Sequence, residues 1–466
     1  MQFRILRNTS DALSDGPLQA NLKHALGRSL TARAAAVSEV ENWEELRSYA
    51  RHIKKCTLRD LGRYLRQMEE QVQRQGGRVL WASDAREAVG HVLEIARTHQ
   101  ASTAAKSKSM LTEEIQLNAA LEDSGIRPVE TDLGEFILQL AGQIPSHIVA
   151  PALHMSRAQV AALFADKLQM EATDDVRELT ETARRRLRRE FLKADLGISG
   201  VNFGIAETGT VVVVENEGNA RLSTALPRVH IALMGIEKLI PRWMDLPVFL
   251  KLLTISATGQ RITSYVNLLN GPKRREEPDG PEHFYLIFVD NGRSAILKDD
   301  RKRQTLSCIR CGACQNVCPV FQSIGGHAYE STYQGPIGAI LTPQLTTASD
   351  APEHPFASSL CAACREICPV KIDIPEVLLI LREQAVESRT GPRSERLAFR
   401  LWAFAMTRPR IYRLGEKLIR LAFRLGAGGM KRGPLAGWVR SRDLPAPAME
   451  SFRSWMAKTR GGRNGS

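Results

Sequence analysis

The chain has 466 residues, of which 43% are hydrophobic and 25% are charged. This length suits two or three domains, and the composition is ordinary for a globular protein. No run of about eighteen apolar residues occurs, which excludes a membrane-spanning helix, and no apolar stretch follows the basic N-terminal residues as it would in a secretory signal. The sequence therefore predicts a cytoplasmic protein.

Positive charge is concentrated at the C-terminal end. The formal net charge is +13, and residues 381–466 contain 19 Lys and Arg against 6 Asp and Glu, which accounts for the whole excess. The near-neutral remainder argues against a body that binds nucleic acid. In the tail, one helical face of 411–425 carries Ile411, Leu414, Leu418, Leu421 and Ala422, opposite a face rich in arginine. Such a helix packs on its own domain, on an acidic partner or, peripherally, on an anionic membrane.

The first 300 residues alternate between helical and strand-like segments. Apolar residues recur at three- and four-residue steps from 42 to 77, which predicts a helix that ends at its two final glycines. A strand at 78–82 follows, and Ser83 is the predicted N-cap of the next helix. This alternation predicts an α/β domain with a parallel sheet.

Two polar regions of this domain are candidate binding or catalytic positions. The stretch Lys106–Ser109 is either a plain helix N-cap or a loop that offers N–H groups and cations to a carboxylate or phosphate. His147, in a predicted strand at 146–149, and His154, just before a helix expected to begin near Ser156, are candidates for catalysis. Lone histidines in such settings are more often structural.

The segment from Gly197 to Ile240 reads as short strands and tight turns. A charged helix from 174 to 197 precedes it, and strands are predicted at 201–206, 210–215 and 230–234. Turns at strand ends often form a pocket, and the polar candidates here are Glu207, Thr208, Glu215, Asn216 and Arg221. Simple turn formation explains these residues equally well. Two more strands, at 265–269 and 282–289, are expected at sheet edges.

Seven of the eight cysteines occur in two motifs after this domain. The first, CIRCGACQNVCP, has C-x2-C-x2-C-x3-C-P spacing, and the second, CAACREICP, repeats its last part. This is the spacing of ferredoxins with two [4Fe–4S] clusters, in which three thiolates bind one cluster and the fourth binds the other. Zinc is the alternative, but such closely spaced cysteines fit a tetrahedral site poorly, and disulfides do not suit a cytoplasmic protein.

Ferredoxin topology predicts two clusters with unequal ligand sets. The first cluster takes Cys308, Cys311, Cys314 and, from the second motif, Cys368. The second takes Cys318, Cys361 and Cys364, and Ser358 stands where its fourth ligand is expected. The fourth iron is therefore held by Ser358, Cys56, water, a partner or a substrate, or is absent as in a [3Fe–4S] cluster. As a lone cysteine in a helical segment, Cys56 is more simply a small core residue.

Four stretches resemble the iron–sulfur subunit of bacterial lactate utilisation complexes, the LutB family. They are GVNFGIAETGTVVVVENEGNARL, CIRCGACQNVCPV, GGHAYESTYQGPIGA and SSLCAACREICPVKI, and the resemblance extends over nearly the whole chain. It implies a LUD-type α/β domain of the NagB/RpiA/CoA-transferase-like fold, an α-helical ferredoxin-type 2[4Fe–4S] domain and a C-terminal extension. We place these at 61–300, 301–385 and 386–466, after a helical segment at 1–60.

By family, such a complex oxidises L-lactate to pyruvate and allows growth on lactate. The resemblance implies a non-catalytic electron-transfer subunit, with a cysteine-rich-domain subunit and a LUD-only subunit as partners. No G-x-G-x-x-G motif after a strand offers a flavin or nicotinamide site. The alternative is a regulatory or nucleic-acid-associated iron–sulfur protein that uses the basic tail, but no recognised nucleic-acid motif accompanies that tail, so nucleic acid is not expected as a partner.

Overall fold

A computed structural model describes residues 4–345, 351–388, 393–424, 445, 447–448 and 450–461. These residues belong to two compact units, which divide after Ser388. The first unit contains the α/β region and both cysteine motifs, and the second contains the basic C-terminal helices. The domain boundaries expected at 60, 300 and 385 remain predictions.

Four helices precede the sheet: α1 (Arg4–Ser14), α2 (Gly16–Ser38), α3 (Trp43–Arg59) and α4 (Leu61–Arg74). The helical run predicted from 42 to 77 is divided at Asp60, where φ is −111° and ψ is 27°. The carbonyl of Asp60 accepts hydrogen bonds from the N–H groups of Arg63 and Tyr64, so α4 begins there. The glycine stop is confirmed, because Gly76 follows α4 with a φ of 86°.

The centre of the first unit is a six-stranded sheet in which every neighbouring pair is parallel, as predicted. In spatial order the strands are β1 (Arg78–Ala82), β10 (His283–Val289), β7 (Val229–Gly235), β4 (Leu196–Gly200), β2 (Thr103–Lys106) and β3 (Arg127–Glu130). The edge position expected for 282–289 is wrong, because β10 pairs on both sides and its apolar run is buried on both faces. Gly197, expected to end a helix, lies instead within β4.

A second sheet of four strands follows the order β8 (Leu239–Ile240), β5 (Phe203–Ile205), β6 (Thr210–Glu215) and β9 (Tyr265–Leu269). The strands β5 and β6 form an antiparallel hairpin, and β6 also pairs antiparallel with β9. The edge position predicted for 265–269 is confirmed.

In the described part of the chain, eight further helices connect these strands: α5 (Ala85–Thr98), α6 (Met110–Glu114), α7 (Leu117–Asp123), α8 (Leu133–Ala141), α9 (Arg157–Leu168), α10 (Val176–Lys193), α11 (Asn219–Ala225) and α12 (Leu246–Thr258). A ninth, α13 (Arg293–Lys298), follows β10. Asp84, not the predicted Ser83, caps α5, because its carboxylate accepts an N–H group of the first turn. The helix expected to begin near Ser156 is confirmed, because α9 begins at Arg157 and Ser156 is its N-cap. The strand expected at 146–149 is wrong, because this segment is irregular and the N–H of Ile148 binds a side chain.

The cysteine motifs lie in a helical segment that shares a core with the α/β region, with Cys314 in its first helix and Cys364 in its fourth. These helices are α14 (Ala313–Val317), α15 (Pro319–Ile324), α16 (Gly335–Leu341), α17 (Ala363–Ile367) and α18 (Ile374–Glu387). One continuous buried cluster joins Cys311, Cys314 and Cys368 to Phe249 of α12 and Trp43 of α3. The motifs are therefore part of the body of the first unit.

The second unit contains α19 (Arg393–Met406), α20 (Pro409–Arg424) and α21 (Phe452–Gly461). The basic amphipathic helix predicted at 411–425 is present up to Arg424, and Leu425 lies outside the described residues. On its apolar face, Leu414, Leu418 and Leu421 are more than half exposed. Among the helices that the structure describes, none is both long and apolar enough to cross a membrane.

Candidate functional site

The two cysteine motifs meet inside the first unit. The side chains of Cys311, Cys314, Cys318, Cys364 and Cys368 are buried, whereas Cys308 is half-buried and Cys361 is exposed. All seven are free thiols. Thiols in this arrangement are available as thiolate ligands for a metal centre.

The charges of neighbouring sulfurs raise the pKa of cysteines in both motifs. Burial raises the pKa of Cys314, and so do the charges of its neighbours Cys308, Cys311, Cys364 and Cys368. Burial also raises the pKa of Cys364, to about 12, and its charged neighbours are Cys318 and Cys361. Cys364 acts on Cys314 as well, so the sulfurs of the two motifs lie near one another. We call Cys308, Cys311, Cys314 and Cys368 the first group and Cys318, Cys361 and Cys364 the second group, after the ligand sets predicted from the sequence.

The backbone of the second motif repeats that of the first. Arg310 has a left-handed φ of 60°, and Leu360, at the matching position, has a φ of 56°. In the first motif, the N–H of Arg310 donates to Cys308 Sγ at 3.4 Å. In the second, the N–H of Leu360 donates to Ser358 Oγ at 3.1 Å. Ser358 therefore has the same place in its loop that Cys308 has in the first loop.

Backbone N–H groups are directed at the sulfurs. The N–H of Ile372 donates to Cys368 Sγ at 3.4 Å. Burial raises the pKa of Cys318, and the N–H groups of Phe321 and Val320 oppose that rise. Such donors favour the thiolate, which is the form that binds iron, so the residues present fit [4Fe–4S] clusters. Among the described residues, no three His, Cys, Asp or Glu side chains surround a position for a single metal ion. A four-iron cluster has a different requirement, because its ligands are separate thiolates that bind different iron atoms.

Three cations lie in the electrostatic field of Cys308. Burial alone would lower the pKa of Arg310, but the charge of Cys308 raises it. Burial lowers the pKa of Lys54 to about 8 and that of Lys238 to about 7, and Cys308 opposes both changes. These cations offset negative charge at the first thiolate of the first group.

The helices α2 and α3 hold the end of the second motif. The guanidinium of Arg47 donates to the carbonyl of Cys368 at 2.8 and 3.1 Å and to that of Glu366 at 2.7 Å. Arg33 donates to the carbonyl of Ile367 at 3.1 Å. The N-terminal helices therefore fix the backbone that carries Cys368.

Three sequence candidates make structural contacts instead. Cys56 is half-buried, not a core residue, and its Sγ lies 3.6 Å from Nε2 of His52 on the same helix. His147 uses Nε2 to bind Asn316 at 3.0 Å and Nδ1 to accept two backbone N–H groups, and burial lowers its pKa to about 4. His154 is hydrogen-bonded through both ring nitrogens. These contacts favour a structural role for both histidines.

A cavity of about 370 Å³ opens at the carboxyl ends of β2, β4 and β7. Its wall includes Ser107–Ser109 after β2, Gly200 at the end of β4 and Gly235 at the end of β7. Arg310 and Tyr333 reach the same wall from the cysteine-bearing segment. The carboxyl edge of a parallel sheet is where α/β proteins bind ligands. The cavity thus lies between this edge and the first cysteine motif.

Only part of the predicted polar set lines this cavity. The residues that line it are Ser107–Ser109, Glu215 and Asn216, and those that do not are Glu207, Thr208 and Arg221. Ser109 is also the N-cap of α6, so the N-cap interpretation is confirmed. Lys106 is fully buried and pairs with Glu130 at 2.7 Å and Glu113 at 2.9 Å.

The cavity wall contains polar groups without a protein partner. Arg310 donates from Nη2 to Glu237 at 3.3 Å and lies over the Tyr333 ring at 4.8 Å, but its buried Nη1 has no partner among the described residues. The buried Oγ of Ser107 also has none there. Lys238 is half-buried at the wall and forms no hydrogen bond or salt bridge with the described part of the chain. Buried polar groups without partners are costly, so Nη1 of Arg310 and Oγ of Ser107 require an explanation.

A buried ion network adjoins the cavity. Arg293 donates to Glu114 from both terminal nitrogens at 2.8 Å and to Glu237 from Nε at 2.7 Å. The Tyr333 hydroxyl and the Asn291 amide donate to Glu114 at 2.6 and 2.7 Å. Sequence reasoning missed this network because its members are far apart in the chain and no spacing pattern connects them.

Three family descriptions match successive parts of the chain: LUD domain at 65–289, 4Fe-4S dicluster domain at 304–372, and lactate utilisation protein B, C-terminal, at 380–461. Lactate utilization protein B of Shouchella clausii is 46% identical over 454 residues, which are 96% of this chain and 95% of that protein. The chain belongs to the lactate utilisation protein B family. The resemblance predicted from the motifs is confirmed, as are the LUD-type α/β domain, the ferredoxin-type domain and the helical extension.

Other members of the lactate utilisation protein B family match over similar lengths. The protein of this name from Oceanobacillus iheyensis is 47% identical and aligns over 93% of this chain and 92% of its own length. That from Bacillus cytotoxicus is 44% identical over 96% and 95%. A crystal structure of a DUF162 family protein from Deinococcus radiodurans covers 49% of this chain and 98% of its own, with 13% identity and a TM-score of 0.28. No functional inference follows from that distant likeness.

Proposed function

We propose that the chain is the electron-transfer subunit of a complex that oxidises L-lactate to pyruvate and supports growth on lactate. The observation that carries the proposal is that the seven cysteines of the two motifs are free thiols and that sulfurs of both motifs lie near one another. The name of the relatives, lactate utilization protein B, supports the choice of substrate. The partners in this proposal are a cysteine-rich-domain subunit and a LUD-only subunit, with the basic C-terminal helices as a docking surface for them.

In this proposal the first group of sulfurs holds one [4Fe–4S] cluster and the second group holds the other. Clusters of this kind accept and release single electrons at potentials set by burial and by hydrogen bonds to sulfur. The chain supplies both influences. The N–H groups of Arg310 and Ile372 donate to sulfurs of the first group, and the arginines Arg33 and Arg47 add positive charge beside Cys368.

The test replaces one proposed ligand of each cluster. Cys311→Ser and Cys364→Ser should each lower the iron content of the anaerobically purified chain and stop lactate oxidation by the reconstituted complex, because each removes a thiolate. Cys56→Ser is the matched control and should keep both properties, since its sulfur contacts His52. Iron analysis and EPR report the clusters independently of turnover. Full turnover in both motif variants would contradict the electron-transfer role.

We further propose that Ser358 supplies the fourth ligand of the second cluster. Its Oγ accepts the N–H of Leu360, as Cys308 Sγ accepts that of Arg310, so its loop already has the geometry of a ligand loop. Ser358→Ala should shift the second cluster toward the [3Fe–4S] form, whereas Ser358→Cys should keep four irons. EPR of the oxidised protein and iron analysis distinguish these states. An unchanged spectrum in Ser358→Ala would assign the fourth iron to water, a partner or a substrate.

A further inference from the structure

We infer that the cavity at the sheet edge binds a small organic carboxylate through Arg310 and Lys238. The Arg310 side chain is only 8% exposed, yet its Nη1 has no partner among the described residues. Lys238, at the same wall, forms no hydrogen bond or salt bridge within the described residues, although the charge of Glu237 acts on it, and the unpaired Oγ of Ser107 also belongs to this wall. A bound ligand that accepts hydrogen bonds would satisfy all three groups.

The charges of the cavity favour an anion. Its carboxylates already have partners: Asp132 pairs with Lys108 at 2.9 Å, Glu237 accepts from Arg293 at 2.7 Å, Glu215 accepts the N–H groups of Ala220 and Arg221, and Glu217 accepts the N–H of Leu133. The unused capacity therefore lies with the cations Arg310 and Lys238. A guanidinium fork matches the two oxygens of a carboxylate, and a nearby ammonium adds a second charge-assisted hydrogen bond.

The remaining wall favours an organic ligand over a simple inorganic ion. Apolar side chains contribute to it, among them Val201, Val213, Leu233 and Leu253. A volume of about 370 Å³ lies within the usual range for small-molecule sites. Such a site accommodates a carbon skeleton beside the carboxylate.

The position of Arg310 places the ligand beside the first cluster. Its backbone N–H donates to Cys308 Sγ at 3.4 Å, while its side chain reaches the cavity wall. One residue therefore contacts both a proposed cluster ligand and the proposed carboxylate. The inference that the cavity binds a carboxylate does not depend on the proposed function. The inference that this carboxylate is the substrate oxidised by the complex rests on the proposed function.

The test is isothermal titration calorimetry on the full chain, purified anaerobically with its iron. Pyruvate, L-lactate and oxalate are the carboxylate probes, and inorganic phosphate is the competing anion. Lys238→Met removes the ammonium but keeps most of the side-chain volume, and we expect it to weaken carboxylate binding roughly tenfold to a hundredfold. Lys298→Met, an exposed lysine of α13 outside the cavity wall, is the matched control and should bind as the wild type does.

A second variant tests the fork. Arg310→Lys keeps the positive charge but loses the paired nitrogens, so it should also weaken carboxylate binding, and the absorption spectrum verifies that its iron is retained. Three results would each overturn the proposal: no carboxylate bound by the iron-loaded wild type, phosphate bound more tightly than every carboxylate, or wild-type affinity in both variants. Because the titration involves no turnover, its failure is distinct from a failure of the cysteine variants to affect lactate oxidation.

Discussion

Replacement of Arg293 by Met should strongly destabilise the first unit. The side chain of Arg293 is 1% exposed, and it pairs with two buried carboxylates, Glu114 and Glu237. Methionine fills most of the apolar volume but leaves both carboxylates without the guanidinium. Removal of one partner from a buried ion pair costs roughly 3–5 kcal/mol, because an uncompensated charge remains in the interior.

The surrounding contacts set the expected value within this range. Glu114 keeps its hydrogen bonds from Tyr333 and Asn291, and Glu237 keeps the one from Arg310 at 3.3 Å. These donors limit the loss, but two carboxylates are affected, so we expect about 4 kcal/mol. With a urea m-value of about 1–3 kcal/mol/M, the unfolding midpoint should fall by roughly 1 M or more.

The assay is anaerobic urea unfolding of the full chain, followed by far-ultraviolet circular dichroism. Arg184→Met is the matched control, because Arg184 pairs with Glu181 at 2.7 Å on an exposed face of α10 and its loss should leave the midpoint unchanged. Addition of Glu114→Gln to Arg293→Met should recover part of the loss by removing one uncompensated charge. A midpoint for Arg293→Met equal to that of the wild type would refute the reasoning.

Two other perturbations have clear signs. Gly197→Ala should lower the melting temperature, because an added Cβ would lie 1.8 Å from the carbonyl oxygen of Ser223, whereas Gly90→Ala, in open space on α5, should raise it. Stability should also decline as the pH falls from 6.5 toward 3, because burial lowers the pKa of His230 from 6.5 to about 3 and only the unfolded chain takes up the proton. At pH 5, His230 lowers the free energy of unfolding by about 2 kcal/mol, and His230→Gln should remove that part of the pH dependence of urea unfolding. An equal pH dependence of the free energy of unfolding in the wild type and the variant would contradict this role of His230.

Local patterns predicted much of the fold. The strands β1, β6 and β9 begin and end where the sequence predicts, because glycines and polar turn residues mark their ends. The central position of β10 was missed because strand order is set by pairing between strands that are far apart in the sequence. The pattern of apolar residues within one strand does not show which strands it pairs with. The segment 146–149 looked like a strand by composition, but the N–H of Ile148 binds the distant side chain of Gln315 and the N–H of Val149 binds His147 of the same loop.

The candidate site, like the fold, was predicted only in part from the sequence. The cysteines were found because cluster binding imposes a spacing along the chain, and the stretch Lys106–Ser109 was found because it follows a strand. Arg310, Lys238 and Arg293 were missed, since they meet only after the sheet and the cysteine segment pack together. Nothing in their local sequence separates them from surface cations.

The contacts of Arg47 have a consequence for the order of assembly. This arginine, on the third helix of the chain, binds carbonyls that follow it by 319 and 321 residues. During synthesis, α3 leaves the ribosome long before Cys368 exists, so the N-terminal helices cannot close over the second motif until almost the whole first unit has been made. We therefore expect iron and sulfide to enter after translation of that unit, while this contact is still open, and the mature protein to release them slowly once it has formed.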